Sequence, residues 1–568
     1  MAMAWYCSFR WQKMTSLNLL NCRVNKTINA DIFYKRTALA IIIGFAIIRC
    51  VIAFSMELGT DEAYYWLYSQ NIKWNYFDHP PMVAMWIRLF TANLLLQDIE
   101  GFIRLGSVVG CGIASWAIYK TGNTIHSAKA GLFGVCLYNA SFYASITAGI
   151  FIMPDTPQMV FYTISLWMIA CITKDGKAWM PWLAFGLTAG LCIMSKVYGA
   201  ALWTGLGLFA IVKKRSWFSQ PYIYVAFLAT AVIVSPILVW NFQNDFLTYK
   251  FHSARVAVTD GGLDMITFWR EVINQFLYNN PFNVIAIVAA LIAYLKTGKP
   301  KDTENDALTI FNFIALPLVI LLLGVSLFRD TTLPHWSGPA YVALIPLAAI
   351  YLTGPTIRFA KKILVASVSS LFISLVAWQY LIHYAPEALG KRDVDKKSFP
   401  AEKHTVKRLF SGFESFQLTA ETRHSWEPAE EAFLKLYQQE NRSGRMEKDA
   451  PVICYKWWGA HIEYYFCHPN KIPMVGLGEP DELHEYLFTN AERKDTVNLN
   501  TAYCIVPADD NYNVQLKYLP YYHTIDKPSL ISVERKGKPD VKFYVYRLSG
   551  WKNKLPMVEP EKPIARYP

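Results

Sequence analysis

Residues 37–82 read TALAIIIGFAIIRCVIAFSM (37–56) and then ELGTDEAYYWLYSQNIKWNYFDHPPM (57–82). The first twenty are uncharged but for Arg49 and mostly apolar, long enough as an α-helix to cross about 30 Å of hydrocarbon. The next twenty-six carry adjacent carboxylates, Asp61 and Glu62, a Tyr/Trp-rich stretch and a Pro-Pro stop. Trp and Tyr prefer the headgroup level of a bilayer. A membrane span therefore opens into a polar loop held at the membrane surface.

The same run length recurs. Apolar runs lie near 37–56, 102–120, 128–148, 157–173, 179–195, 197–213, 221–240, 281–297, 308–328, 337–353 and 361–384. These predict eleven transmembrane helices. Residues 81–96 are interrupted by Arg88 and Asn93, with their apolar side chains on one face, and predict a helix lying in the interface. The expected fold is mainly α: a polytopic helical membrane domain with interfacial helices in the first outer loop, and a small C-terminal α/β domain outside the membrane. The expected boundaries are a cytoplasmic segment 1–36, a membrane domain 37–384, a charged linker 385–402 and an extracytoplasmic α/β domain 403–568. In that last part, 427–440 predicts a helix, and 451–455, 462–466, 502–507, 529–534 and 541–548 predict strands.

Composition narrows the function. The 568 residues are 53% apolar and carry net charge +12, which excludes intrinsic disorder and first suggests an anionic partner. The charge is unevenly placed. Residues 385–568 hold 27 basic and 26 acidic side chains, net +1; residues 1–384 hold 28 and 17, net +11. The excess belongs to the apolar part, so nucleic acid is not an expected partner. Nineteen of those 28 basic residues fall on one side of the predicted spans, eight on the other, and Arg49 within a span. By the positive-inside rule this predicts a cytoplasmic N-terminus and an outer C-terminal domain. Residues 1–36 are polar, without the pattern of a secretory signal. Seven of ten cysteines precede residue 384, and three, Cys454, Cys467 and Cys504, follow it, an odd count that leaves room for one disulfide at most.

The spans contain almost no acids, so chemistry is expected at the membrane surface. Asp61 follows Thr60 at a helix start, where residue types alone favour a cap over a general base. Asp155 lies in Met153-Pro154-Asp155-Thr156-Pro157, on the same predicted side, with the same two readings. Lys196, Lys250, His252, Arg255 and His335 are basic and outward; they suit either a lipid phosphate or snorkelling to headgroups.

The segments GTDEAYYW (59–66), YFDHPPM (76–82), MPDTP (153–157), SKVY (195–198), WNFQNDFLTYKFHSAR (240–255) and LPHWSGPAY (333–341) together resemble bacterial polytopic glycosyltransferases of the GT-C class. They are similar to protein O-mannosyltransferases and to the aminoarabinose transferase that modifies lipid A. The resemblance spans roughly residues 37–384. It implies an inner-membrane enzyme with a polyprenyl-phosphate-linked sugar donor and a lipid, glycan or protein acceptor. It also implies an inverting displacement with Asp61 as general base and Asp155 as the second acidic residue. Glu62, Tyr64, His79, Lys196, Lys250, Arg255 and His335 are then the substrate-binding candidates. Lipid A-modifying relatives tend to carry Lys before Pro-Pro, where this chain has His79. No cofactor is required by the motifs, but carboxylate plus imidazole suits zinc, so Asp78 and His252 are candidate ligands of a divalent metal. The competing reading is a transporter or flippase of lipid-linked sugars, against which the scarcity of mid-span carboxylates counts. A membrane-anchored scaffold is a third, and leaves the acidic outer loops unexplained.

Overall fold

A computed structural model describes residues 29–257, 262–297, 302–329, 333–354, 359–384, 426–508, 512–535, 538–553 and 555–557. The expected linker 385–402 and most of the segment 1–36 lie outside the described residues.

The chain is mainly helical up to residue 384. Its helices are α1 (Asn29–Ala53), α2 (Thr60–Gln70), α3 (Met82–Phe90), α4 (Glu100–Ile125) and α5 (Ala128–Ala140). There follow α6 (Asp155–Lys174), α7 (Trp179–Ser195), α8 (Ala201–Val212), α9 (Pro221–Gln243) and α10 (Leu247–Val256). The last five are α11 (Met265–Tyr278), α12 (Pro281–Thr297), α13 (Asp302–Ser326), α14 (Gly338–Leu352) and α15 (Ala360–Tyr384). Each apolar run of the sequence falls on helix. Among the described residues six helices, in α1, α4, α6, α9, α13 and α15, are long and apolar enough to cross a bilayer, and the α11–α12 pair adds a seventh if taken as one bent span. The runs at 128–148, 179–195, 197–213 and 337–353 fall on α-helices of 13, 17, 12 and 15 residues. At 1.5 Å per residue these are shorter than the hydrocarbon core.

Local chemistry explains the breaks. The run at 128–148 ends as an α-helix at Ala140 and resumes as a π-turn over Tyr143–Thr147. Arg49, buried in the first span, donates to the carbonyl and hydroxyl oxygens of Ser145 and to Asn139 Oδ1 at 2.9 Å, so its charge is solvated by that irregular backbone. The α11–α12 pair bends by 100°. Pro281 lacks an N–H and disfavours helix before it, and Asn280 has φ 67° with its amide bound to the carbonyls of Ala140 and Ser367. The predicted interfacial helix at 81–96 is shorter than expected. It stops at Phe90, and Ala92, Asn93 and Leu94 all have positive φ. Arg88 there is a cap for a neighbour, donating to the Ser69 and Gln70 carbonyls at the C-terminus of α2.

The C-terminal part is a six-stranded mixed sheet: β1 (Val452–Cys454), β2 (Met474–Gly476), β3 (Thr501–Pro507), β4 (Tyr522–Ile525), β5 (Ser529–Arg535) and β6 (Lys538–Trp551). The order is β2-β1-β3-β6-β4, with β5 also on β6. β1 is parallel to β2 and β3; β6 is antiparallel to β3 over Thr501–Pro507 and Phe543–Ser549. The helix Trp426–Arg442 covers the predicted 427–440. Residues 462–466 were expected as a strand and are instead the end of a short helix continuing into a π-turn, Glu463–Cys467. Every residue of that run is buried, and a short run buried all round has no period to distinguish strand from helix. The helical spacing matters. His461, Tyr464, Tyr465 and His468 form one stripe, and they bond Leu58, Gln97, Glu100 and Asp98 respectively. The sheet region is thereby fastened to the first loop. Cys454, Cys467 and Cys504 are buried free thiols.

Candidate active site

Helix α2 separates its two adjacent carboxylates. Asp61, Tyr64, Tyr65 and Tyr68 follow i, i+3, i+4, i+7 and share one stripe; Glu62 and Trp66 share another. Glu62 is fully buried against Arg104 of α4, with Nε–Oε1 2.8 Å and Nη2–Oε2 2.6 Å. Arg104 also donates to the carbonyls of Ala53, Met56 and Glu57, so all five of its N–H bonds are used. Glu62 further accepts the N–H groups of Gly59 at 2.8 Å and Ile152 at 3.0 Å. One ion pair thus ties the end of α1, the start of α2 and the loop leading to Asp155.

The Asp61 stripe faces the Asp78–His79 turn. Tyr68 and Tyr64 both donate to Asp78 Oδ1, Tyr64 at 3.4 Å. The Tyr65 ring meets the His79 ring edge-on at 5.8 Å. Burial, reinforced by the charge of Asp78, pushes both bonded phenols well above their ordinary pKa, so they remain donors. Burial alone would raise Asp78. The imidazoles of His79, His484 and His252 and the Tyr68 hydroxyl outweigh it and hold the carboxyl below the usual range. Burial pushes His79 down to about 3, against the pull of Asp78. His79 is thus a neutral ring, not the ammonium that a Lys would supply there.

Asp155 begins α6 and is buried. Its Oδ2 accepts from Lys196 Nζ at 2.8 Å and its Oδ1 from Tyr143 Oη at 2.8 Å. Lys196, at the junction after α7, is also buried, with its Nζ 5.8 Å from the Tyr198 ring centre. His335 acts electrostatically on Asp155, and Lys196 and Asp155 both act on His79. Asp155, Lys196, His335, His79 and Asp78 therefore form one polar neighbourhood assembled from α6, α7, the 334–337 turn and the first loop.

Other predicted residues lie elsewhere or act otherwise. Glu62, a substrate-binding candidate, has its oxygens occupied by Arg104 and two backbone N–H groups. Lys250 is exposed and paired with Asp245 at 2.5 Å. The Arg255 side chain lies outside the described residues. The Asp78–His252 metal pair does not converge: His252 Nε2 sits 2.6 Å from the Asp78 carbonyl oxygen, while the carboxylate turns to the tyrosines. Among the described residues no group of three or more His, Cys, Asp or Glu is arranged to hold a metal. A cleft of about 740 Å³ opens between the first loop and the sheet region, lined by Trp66, Gln97, His468 and Arg493 among others, and contains none of the predicted residues.

Tyr68, Tyr143, His484 and Glu485 were not anticipated. Helical spacing from Asp61 could have found Tyr68. Tyr143 stands twelve residues before Asp155 across an irregular turn, and His484 and Glu485 belong to another part of the chain, so no local pattern marks them.

Residues 78–240 match the family described as Dolichyl-phosphate-mannose-protein mannosyltransferase. That segment holds Asp78, His79, Asp155 and Lys196. The chain is a glycosyltransferase of the GT-C class. It is 24% identical to the lipid A galacturonosyltransferase RgtD of Rhizobium johnstonii over 324 residues, 56% of this chain and 67% of the relative. The fold of this glycosyltransferase is similar to that of ArnT from Cupriavidus metallidurans, with TM-score 0.56 and 14% identity over 89% of this chain and 97% of ArnT, both in the apo state and with undecaprenyl phosphate bound.

Proposed function

We propose that this glycosyltransferase takes a sugar from a polyprenyl-phosphate donor and transfers it, with inversion, to a hydroxyl of an acceptor at the outer face of the bacterial inner membrane. The observation that carries the reading is the split of α2: Glu62 is consumed by Arg104, while Asp61 shares the stripe of Tyr64, Tyr65 and Tyr68 that meets Asp78 and His79. Asp61 is the general base, taking the acceptor proton as its oxygen attacks the anomeric carbon. The Lys196 ammonium, oriented by Asp155, supplies positive charge for the leaving phosphate, a role that gains strength where water is scarce. Asp155 sets that ammonium and keeps it from being a lone buried charge. The donor class is supported by the undecaprenyl phosphate held by ArnT, and lipid A as the first acceptor to test by the galacturonosyltransferase relative. The charge distribution supports a cytoplasmic N-terminus and an outer sheet region.

The test is genetic and chemical. Mass spectrometry of lipid A and surface glycans from a deletion strain is expected to show loss of one sugar residue, restored by the wild-type chain and not by Asp61→Asn at equal membrane abundance. Full restoration by Asp61→Asn removes Asp61 as base. A loss confined to another glycan replaces lipid A as the acceptor.

A further inference from the structure

The sheet region sends one short segment, His484–Glu485, back into the neighbourhood of Asp78. Glu485 precedes the helix Tyr486–Arg493 and is buried. Its carboxylate is divided: Oε1 accepts from Lys73 Nζ at 2.7 Å and Oε2 from the backbone N–H of Phe77 at 3.0 Å. Its own N–H donates to the Tyr64 hydroxyl at 3.2 Å. Phe77 is the residue before Asp78, and Tyr64 is one of the two phenols that hold Asp78. A residue 408 positions away in sequence therefore grips both the backbone entering Asp78 and a hydroxyl bonded to its carboxylate.

His484 shows what this placement costs. Its backbone is at φ 51°, ψ −120°, a conformation that side-chain-bearing residues seldom adopt. Its ring stacks on Phe77 at 4.6 Å and 11° and lies parallel to Trp457 at 6.0 Å. Such strain persists only where the surroundings over-determine it, and here they do so beside the candidate site. A buried carboxylate also needs its charge compensated, which Lys73 does.

We propose that Glu485 is a positioning residue of this glycosyltransferase: it holds Phe77, Asp78 and the Tyr64 hydroxyl in register, so that the sheet region completes the active site. This deepens the transfer reading given above and rests on it. Its chemistry is a hydrogen-bonded clamp; no bond to substrate forms at Glu485.

The experiment uses the full chain, purified in detergent and supplied with a polyprenyl-phosphate-linked sugar, comparing wild type with Glu485→Ala, Glu485→Gln and Glu492→Ala. Expected for Glu485→Ala is a fall in kcat of about 10–100-fold per folded molecule with the donor KM changed less than about threefold, because small misplacements near reacting groups act on the rate. Glu485→Gln keeps one acceptor oxygen and is expected to fall between. Glu492→Ala removes the other partner of Lys73 and leaves the Glu485–Lys73 and Phe77 contacts, and is expected to lose less than Glu485→Ala; equal losses mean only general docking of the sheet region and overturn the proposal. Wild-type kcat in folded Glu485→Ala also overturns it. Amide exchange at Phe77 provides a readout without turnover: acceleration in Glu485→Ala is expected, and unchanged exchange overturns the clamp even if no sugar is transferred by any variant. Absence of transfer by wild type strikes the transfer reading; transfer by wild type with an indifferent Glu485→Ala strikes the clamp alone.

Discussion

Glu62 and Arg104 face each other fork to fork, Nε–Oε1 2.8 Å and Nη2–Oε2 2.6 Å, with no exposed surface on either side chain. Asp61, one residue earlier, is half-buried and on a different stripe of the same helix. The rotation of about 100° between consecutive helical residues sets the two carboxylates on different sides of α2, Glu62 against Arg104 and Asp61 on the stripe of Tyr64, Tyr65 and Tyr68. Removing one partner of such a pair leaves an uncompensated buried charge, at a cost of about 3–5 kcal/mol. Arg104→Met is expected to lower the unfolding midpoint sharply, and the double variant Arg104→Met/Glu62→Gln to recover part of it. Thermal unfolding of purified membrane protein measures both. A double variant no better than the single one contradicts the charge argument.

Tyr143 donates to Asp155 at 2.8 Å, and Gly338 lies so close that an added Cβ would come within 2.4 Å of the Tyr143 ring. Tyr143→Phe removes one hydrogen bond to a charged group, worth about 1.5–3 kcal/mol. We expect roughly a tenfold or larger loss of transfer with little change in expression. Gly338→Ala must displace the ring, and is expected to be at least as damaging as Tyr143→Phe. Steady-state transfer rates at equal folded protein decide it; a fully active Gly338→Ala means the ring position is not required.

Lys196 and Asp155 form another buried pair, at 2.8 Å. If Lys196 receives the charge of the leaving phosphate, Lys196→Gln is expected to reduce kcat about a hundredfold or more, in the range seen for loss of one charge-stabilising donor. Lys196→Arg should restore part of it, limited by the fit of a planar group in the same space. An Asp155→Asn variant with unaltered kcat would show that the ammonium needs no orienting carboxylate.

His79 supplies a pH test. Its folded-state value is pushed down to about 3 by burial, below the 6.5 of an unfolded His. Between these values the unfolded chain binds the proton and the folded one does not. Stability attached to His79 is therefore present above about pH 6.5 and is lost as pH falls from there toward 3. His79→Gln is expected to flatten the decline of the unfolding midpoint between pH 7 and 5. An equally steep decline in His79→Gln would mean that His79 titrates like an exposed ring.

The helical architecture is legible from run length alone, because a bilayer imposes a minimum span on apolar helices. The exact path is less so. The α11–α12 bend depends on Asn280 finding carbonyls at Ala140 and Ser367, contacts no local pattern encodes. The strand expected at 462–466 failed because burial on every side erases the difference between a period of 2 and one of 3.6. Lys250, a phosphate-ligand candidate by sequence, is exposed and pairs with Asp245, five residues back, a partner its motif does not mark.

What the amino-acid order determined by itself is the set of apolar helices and the loop chemistry between them, since hydrophobic length and residue type act locally. It named Asp61, Asp78, His79, Asp155, Lys196 and His335 one motif at a time. Only the tertiary structure decided which of them meet, that Lys196 pairs with Asp155, that Glu62 belongs to Arg104, and that Glu485 closes on Phe77. The reason is physical. Buried charges must find partners wherever packing brings them, and those partners lie between 41 and 408 residues away, beyond the reach of any local pattern.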